Sequence, residues 1–189
     1  MKKFAILSLA LLVVFTIGQF KAQASANETK NVIKKEKTEE KQTERPKLKK
    51  LEGDVINQDS QTSFYMTIGN VPDIKWTRGT YYDEATYNKD KQDMTAYFDI
   101  NGALVGTTTI KKTTDLSKPI EKDIKKLYPD ATIGQVTYFQ DNEENTTDMT
   151  LYGIQFESKT QYFIELTQGT NKFVVTSNKE GDVSLFKQL

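Results

Sequence analysis

The stretch Met94–Ile110 constrains the fold of this chain more than any other. Met94, Ala96, Phe98 and Ile100 alternate with Thr95, Tyr97 and Asp99, which puts the apolar set on one face of a strand. Asn101-Gly102 follows, the dipeptide that most readily takes the positive φ values of a tight hairpin turn. The chain then returns as Ala103–Ile110, rich in β-branched Val and Thr, residues that suit a pleated surface. A weaker echo lies near the C-terminus, where Lys172–Thr176 and Asp182–Phe186 flank Glu180-Gly181.

The same alternation recurs in Ala131–Phe139, Met149–Glu157, Gln161–Thr167, Phe173–Thr176 and Val183–Phe186. In each run one face is apolar, as with Tyr162, Ile164 and Leu166, the pattern of an antiparallel sheet with one face on a core. Ile74–Thr77 and Thr80–Tyr87 read as two further strands, and Asn88–Asp93 as a polar loop. Asp141–Asp148, acidic and rich in Asn and Thr, reads as an exposed connection.

Leu116–Tyr128 is the clearest helix. Ser117 is the N-cap candidate and Pro119 sits in the first turn. Ile120, Ile124, Leu127 and Tyr128 share one face, and charged residues cover the other. Ser60–Asn70 admits both periods: Phe64, Met66 and Ile68 alternate, whereas Phe64, Tyr65 and Ile68 fit one face of a short helix. Asp59 or Ser60 could cap that helix and Gly69-Asn70 could end it. With helices and an antiparallel sheet together, the fold class is α+β. The Met94/Ala96/Phe98/Ile100 face is expected to meet the Ile120/Ile124/Leu127 helix.

Residues 1–26 have the form of an export signal: Lys2 and Lys3, an apolar run of 14 residues from Phe4 to Ile17, and small residues at Ala22-Gln23-Ala24 and Ala24-Ser25-Ala26. The run is too short for a membrane span, which takes roughly 20 apolar residues, so no stable membrane insertion is expected after cleavage. The mature protein is expected to be exported, periplasmic or secreted. Residues 27–52, nine Lys/Arg and six Asp/Glu with few large apolar side chains, read as a disordered tether. Residues 53–189 read as the folded domain, and with 14 Lys/Arg against 20 Asp/Glu they are mildly acidic. Such a balance argues against nucleic acid as a partner, since clustered cations supply most of that affinity. The chain has no Cys and no His, which removes disulfides, thiol and imidazole nucleophiles, imidazole bases and the usual zinc ligands.

The halves 58–115 and 116–189 share an order. Val71-Pro72-Asp73 and Tyr128-Pro129-Asp130 each end a helix and open a strand, and both halves close on a hairpin. The run Val-Pro-Asp-Ile-Lys-Trp at 71–76, with Glu84–Tyr87, Ala96–Asp99, Asn101-Gly102, Thr107–Ile110 and the helix from Leu116 to Tyr128-Pro129, resembles the PepSY-like, beta-lactamase-inhibitor-like exported proteins of Bacteroidetes. The resemblance covers roughly Ser60–Phe186. It implies tandem helix-plus-antiparallel-sheet units forming one continuous sheet with helices on one face. It also implies a binding or inhibitory role outside the cytoplasm rather than an enzyme activity, and it carries over no functional residues. The chain departs from the family in its longer second half, where Met149–Glu157 and Gln161–Thr167 read as two full strands.

Trp76, the only Trp, reads first as a packing residue at a strand start, and second as an aromatic anchor for a partner. Tyr81 and Tyr82 are adjacent, so they face opposite ways; one of them, with Tyr97, could form an aromatic patch with Trp76 on a helix-free face. Carboxylates are plentiful (Asp83, Glu84, Asp99, Asp141, Glu143, Glu144, Asp148), yet no spacing marks a general acid–base pair. Asp141–Glu144 lacks the ligand order of a calcium loop, and no phosphate-binding loop or nucleophile elbow is present. The expectation is therefore a non-enzymatic exported binding protein, without cofactor or metal. Its partner would be a protein or peptide of the cell envelope, met by the aromatic face or by strand addition at a sheet edge. An inhibitor of an extracytoplasmic hydrolase is the alternative; a carboxylate-based hydrolase acting on envelope polysaccharide is a third.

Overall fold

A computed structural model describes residues 47–189. The export signal and the tether up to residue 46 lie outside the described residues. In chain order the elements are α1 (Gln58–Thr67), β1 (Lys75–Arg78), β2 (Asp83–Lys89), β3 (Gln92–Phe98), β4 (Leu104–Lys111), a 3-10 turn at Thr113–Asp115 and α2 (Lys118–Leu127). They continue as β5 (Thr132–Asp141), β6 (Met149–Leu151), β7 (Ile154–Phe156), β8 (Gln161–Gln168), β9 (Asn171–Ser177) and β10 (Ser184–Gln188). Eight strands form one antiparallel sheet in the order β1-β2-β3-β4-β5-β8-β9-β10, and β6–β7 is a separate hairpin. The α+β class is as expected.

Register fixes which side chains share a face. Trp76 stands beside Ala85, Ala85 beside Ala96, and Ala96 beside Thr107. Thr107 then aligns with Gln140, and Thr109 with Tyr138 and on to Tyr162. On this face α1 sets Phe64 on Ala85, Tyr87, Ala96 and Phe98. Further along it, α2 sets Ile120 and Ile124 on Val136, Ile164, Leu166 and Val175. The hairpin's Ala96/Phe98 face therefore meets α1, not α2 as the alternation and the strength of the α2 signal suggested. Strand order explains it: four strands of a meander follow α1, so β3 lies near α1, and α2 precedes β5 and packs on that side. Ile100 falls in the turn and is 37% exposed, outside the buried set.

The opposite face is not free. The β6–β7 hairpin lays Met149 and Phe156 on Val105, Phe139, Phe163 and Val174, with the Phe156 ring 5.0 Å from Phe163 and 5.7 Å from Phe139. Met149–Glu157, expected as one long strand, instead turns back at Tyr152-Gly153, both at positive φ (53° and 72°), a two-residue hairpin. A second such turn replaces the polar loop expected at Asn88–Asp93. β2 and β3 run on to Asp90-Lys91, at φ 54° and 63°.

Asn101-Gly102 closes a wider loop than a two-residue hairpin. The Asp99 carboxylate accepts from the N–H groups of Asn101 and Ala103, and Gly102 N–H donates to Asp99 O. Gly102 sits at φ 72° directly beneath the N-terminus of α1, where a Cβ would lie 2.6 Å from Asp59 Cβ and 2.7 Å from Ser60 N. Glycine there serves both the turn and the seating of a helix.

The end of the stretch expected as tether runs along the domain. Leu48 packs among the residues under β6–β7, Leu51 N–H donates to Thr80 O at 2.9 Å, and Arg78 Nη1 donates to Glu52 O at 2.7 Å. Two leucines, Leu48 and Leu51, supply what the polar remainder of the stretch lacks. Asp141–Asp148, expected as an exposed connection, is likewise pinned. Asn145 and Thr147 both donate to Asp99 Oδ2, at 3.1 and 3.0 Å, and Asn142 N–H donates to Val105 O.

Candidate functional site

Eight strands at about 4.8 Å spacing make a sheet roughly 34 Å across, and two helices of about 10 Å diameter cannot cover it. The uncovered part lies between α1 and α2, over β3–β5. A cleft of about 490 Å³ opens there. Met94, Thr107, Thr109, Tyr138 and Gln140 face it from the sheet, and Thr67 and Ile68 from the end of α1. The floor is mixed where the areas under the helices are apolar, because no helix buries it.

Two lysines rim the cleft. Lys89 Nζ donates to Ile68 O at 3.2 Å, and Lys111 Nζ donates to Gln92 Oε1 at 2.8 Å. Tyr138 lies between charge and ring: its centroid is 4.8 Å from that of Tyr162, 5.9 Å from Lys111 Nζ and 5.7 Å from Lys179 Nζ. Lys179 is brought in by the β9–β10 loop, whose carbonyl at Lys179 accepts from Ser117 Oγ at 3.0 Å. Ser117 occupies the N-cap position of α2 as expected, but its hydroxyl holds this loop instead of capping the helix. Asp90 and Asp141 also line the cleft. Burial, with Glu143 and Glu157 nearby, pushes the Asp141 carboxyl above the usual carboxylate range.

The four aromatic residues singled out in the sequence do not make one exposed patch. Trp76 is on the helix face, its ring 5.7 Å from both Phe64 and Phe98. Tyr81, Tyr82 and Tyr97 lie together on the other face, with successive centroids 6.3 and 6.0 Å apart. Tyr82 is buried, donates to Asp148 O at 2.8 Å, and is pushed up to about 12 by that burial. Tyr97 is half-buried against Thr108 Oγ1 at 3.2 Å, and burial raises its hydroxyl too. A smaller cleft of about 300 Å³ lies between Tyr81, the Lys47–Lys49 segment and the loop at Thr146–Asp148.

Two of the carboxylates, Asp83 and Asp99, are spoken for by structure. Asp83, fully buried, receives Arg78 through two bonds of 2.8 and 2.9 Å, Ser60 Oγ at 3.0 Å and Asn57 N–H at 2.9 Å. Burial pushes its carboxyl up, but Arg78 and the other donors outweigh that and hold it below the usual range. Asp99 carries the turn and the 142–148 loop. Glu84, half-buried, is raised by burial. Among the described residues no group of three or more acidic side chains is placed to hold a metal ion. Asn145 has its amide engaged with Asp99 and Leu104 O.

The cleft residues Lys89, Lys111, Tyr138 and Lys179 escaped the sequence reading. They sit on four segments up to ninety residues apart, so no local spacing marks them.

No protein-family model matches the sequence, and no curated protein sequence matches it. Solved structures do match. A DUF2874 family protein from Bacteroides uniformis superposes with a TM-score of 0.59 at 12% identity, over 71% of this chain and 90% of that one. A BLIP-like protein from Bacteroides fragilis gives 0.56 at 18% identity, over 70% and 86%. A protein from Bacteroides eggerthii, described as a candidate periplasmic protein, gives 0.56 at 14% identity, over 71% and 88%. At such identities the likeness is one of fold. It lies with the BLIP-like and DUF2874 proteins of Bacteroides, the side of the expected resemblance that names beta-lactamase-inhibitor-like proteins. Among the described residues no helix is long and apolar enough to cross a membrane.

Proposed function

We propose that this chain is an exported, non-enzymatic protein that binds a protein or peptide of the cell envelope in the cleft between α1 and α2. The observation that carries the reading is the uncovered, half-polar strip of sheet over β3–β5, bordered by the end of α1. A fold that needed this surface only for stability would cover it with apolar contact, as it does on either side. Export is supported by the signal-like first 26 residues and by the description of the Bacteroides eggerthii neighbour. The order of α1 with β1–β4, then α2 with β5 and β8–β10, supports two tandem PepSY-like units.

Strand addition is the weaker use of this sheet. The edge strand β1 has only four residues and carries Lys75 and Arg78, and the other edge, β10, is bulged between Leu185 and Lys187. Short, charged and bulged edges are the usual guards against added strands.

The test is photo-crosslinking in envelope extract with a benzoylphenylalanine placed at Thr107 or Thr109 in the cleft, and at Thr62 on the exposed side of α1 as comparison. Adducts confined to the cleft positions are expected. The same adducts from Thr62, or none from the cleft, would end the proposal.

A further inference from the structure

Resting on that reading, we propose that the cleft selects an acidic, extended peptide, with Lys111 and Lys179 as its anion-binding end and Lys89 on the far rim. Three features converge on this. The domain as a whole is acidic, 14 Lys/Arg against 20 Asp/Glu over residues 53–189, yet Lys89 and Lys111 line this cleft and Lys179 reaches Tyr138, which lines it too. Among the described residues none of the three is ion-paired; the side-chain pairs are Arg78 with Asp83 and Lys159 with Glu157. Lys111 and Lys179 converge on a single tyrosine ring, at 5.9 and 5.7 Å from its centroid. Two like charges gathered on one ring favour an anion from outside.

Shape favours a peptide over a sugar. Tyr138, the ring nearest the ammonium groups, already stacks on Tyr162 at 4.8 Å, and its flanks carry lysines. A pyranose laid on Tyr138 would compete with these contacts. The floor instead follows β4 from Leu104 to Lys111, roughly 25 Å at 3.3 Å per residue, which suits about seven residues of extended chain. Thr107, Thr109 and Gln140 offer hydroxyl and amide groups along it, to which such a chain's backbone can hydrogen-bond. Asp90 and Asp141 line the cleft as well. Asp141 pairs with Gly106, at the other end of β4 from Lys111, and Asp90 stands at the tip of the β2–β3 turn; among the described residues neither forms a salt bridge with a cleft lysine.

The probe is fluorescein-labelled hexaglutamate titrated into the full chain, read by fluorescence anisotropy, with hexaglutamine, polygalacturonate and inorganic phosphate as further arms. Saturable binding of hexaglutamate and not hexaglutamine is expected, weakening as salt rises. The pair Lys111→Gln/Lys179→Gln should weaken it at least tenfold, and Lys125→Gln/Lys126→Gln, on the exposed side of α2, should leave it unchanged. Matching thermal midpoints for the two variants establish that both are folded. No saturable binding, or equal loss in both lysine pairs, overturns the proposal. Tighter binding of polygalacturonate overturns the peptide assignment, and competition by phosphate at equal concentration reduces the site to a bare anion site and overturns it likewise. Cleft-specific crosslinks in extract without hexaglutamate binding would leave the cleft as the binding site and remove its acidic selectivity.

Discussion

The two helices have the same length and lie on the same face of one sheet, yet they are held by opposite means. α2 is an amphipathic helix in the ordinary sense: Ile120 and Ile124 are buried in an apolar cluster with Leu116, Leu166 and Val175, and lysines face water. α1 buries only Ser60 and Phe64, while Tyr65 and Met66 remain 52% and 83% exposed. What α1 lacks in apolar contact it gains in polar anchorage. Ser60, Asn57 N–H and Arg78 all converge on Asp83, and the helix start rests on Gly102. The contrast teaches that a helix can be fixed by its first turn rather than by its face. It also places the domain's sensitivity to charge at one helix and not at the other.

The largest effect is expected where the polar anchor is cut. Asp83→Asn leaves the Arg78 guanidinium, 14% exposed in its side chain, without its carboxylate. Removing one partner of a buried ion pair costs about 3–5 kcal/mol. Chemical denaturation should show that loss, and hydrogen exchange should show α1 opening well before α2. If both helices lose protection together, the anchor is not local to α1 and the contrast fails. Ile120→Ala is the matching cut on the other side, worth about 2–5 kcal/mol through lost burial and a cavity. Here α2 and the β5–β8–β9 region should lose protection first. Salt should change the Asp83→Asn deficit and leave that of Ile120→Ala as it is, since only the first involves charge.

A subtler test concerns the seat itself. Gly102→Ala asks an L-residue to hold φ 72° and puts a methyl group into the backbone of Asp59–Ser60. Strained left-handed backbone costs on the order of 1–3 kcal/mol, and the contact adds displacement of α1. Lower thermal stability with an intact α2 signal is expected by nuclear magnetic resonance. A substitution that leaves the α1 resonances in place would show that the helix start is free to shift, and that the Asp83 knot alone fixes it.

The difference between the helices also explains what could be read from the chain. α2 was legible because its stability comes from a face, and a face leaves a 3.6-residue period in the sequence. α1 was ambiguous between helix and strand because its hold comes from Asp83 and Gly102, 23 and 42 positions beyond Ser60. Its true cap is Asn57, which accepts from Asp59 N–H, not Asp59 or Ser60; Ser60 was instead spent on Asp83. Asn101-Gly102 was recognised as a turn, but the second reason for its glycine lies in another element. The tight turns at Asp90-Lys91 and Tyr152-Gly153 were missed or misread, since Asp-Lys is no turn signature and Tyr152 continues an apolar alternation. The tyrosines were found by residue type, and the cleft lysines were not, because type without register says nothing about which side chains meet.

The smallest expected effect is the one that separates the two helices by pH. The Asp83 carboxyl is held below its ordinary value by Arg78, Ser60 and Asn57, against the upward push of burial. A group depressed on folding lends stability that is present above its unfolded value, near 3.8, and that is lost as pH falls through its folded value. Each unit of depression is worth about 1.4 kcal/mol. Acidification below pH 4 should therefore loosen α1, Asn57 and the Arg78 turn before α2, whose seat of Ile120, Ile124, Val136 and Ile164 holds no carboxylate. Exchange rates measured from pH 5 down to pH 3 in wild type and in Asp83→Asn decide it. The acid-dependent gap between α1 and α2 should be present in the first and absent in the second. A gap that persists in Asp83→Asn would assign the acid response to another carboxylate near α1.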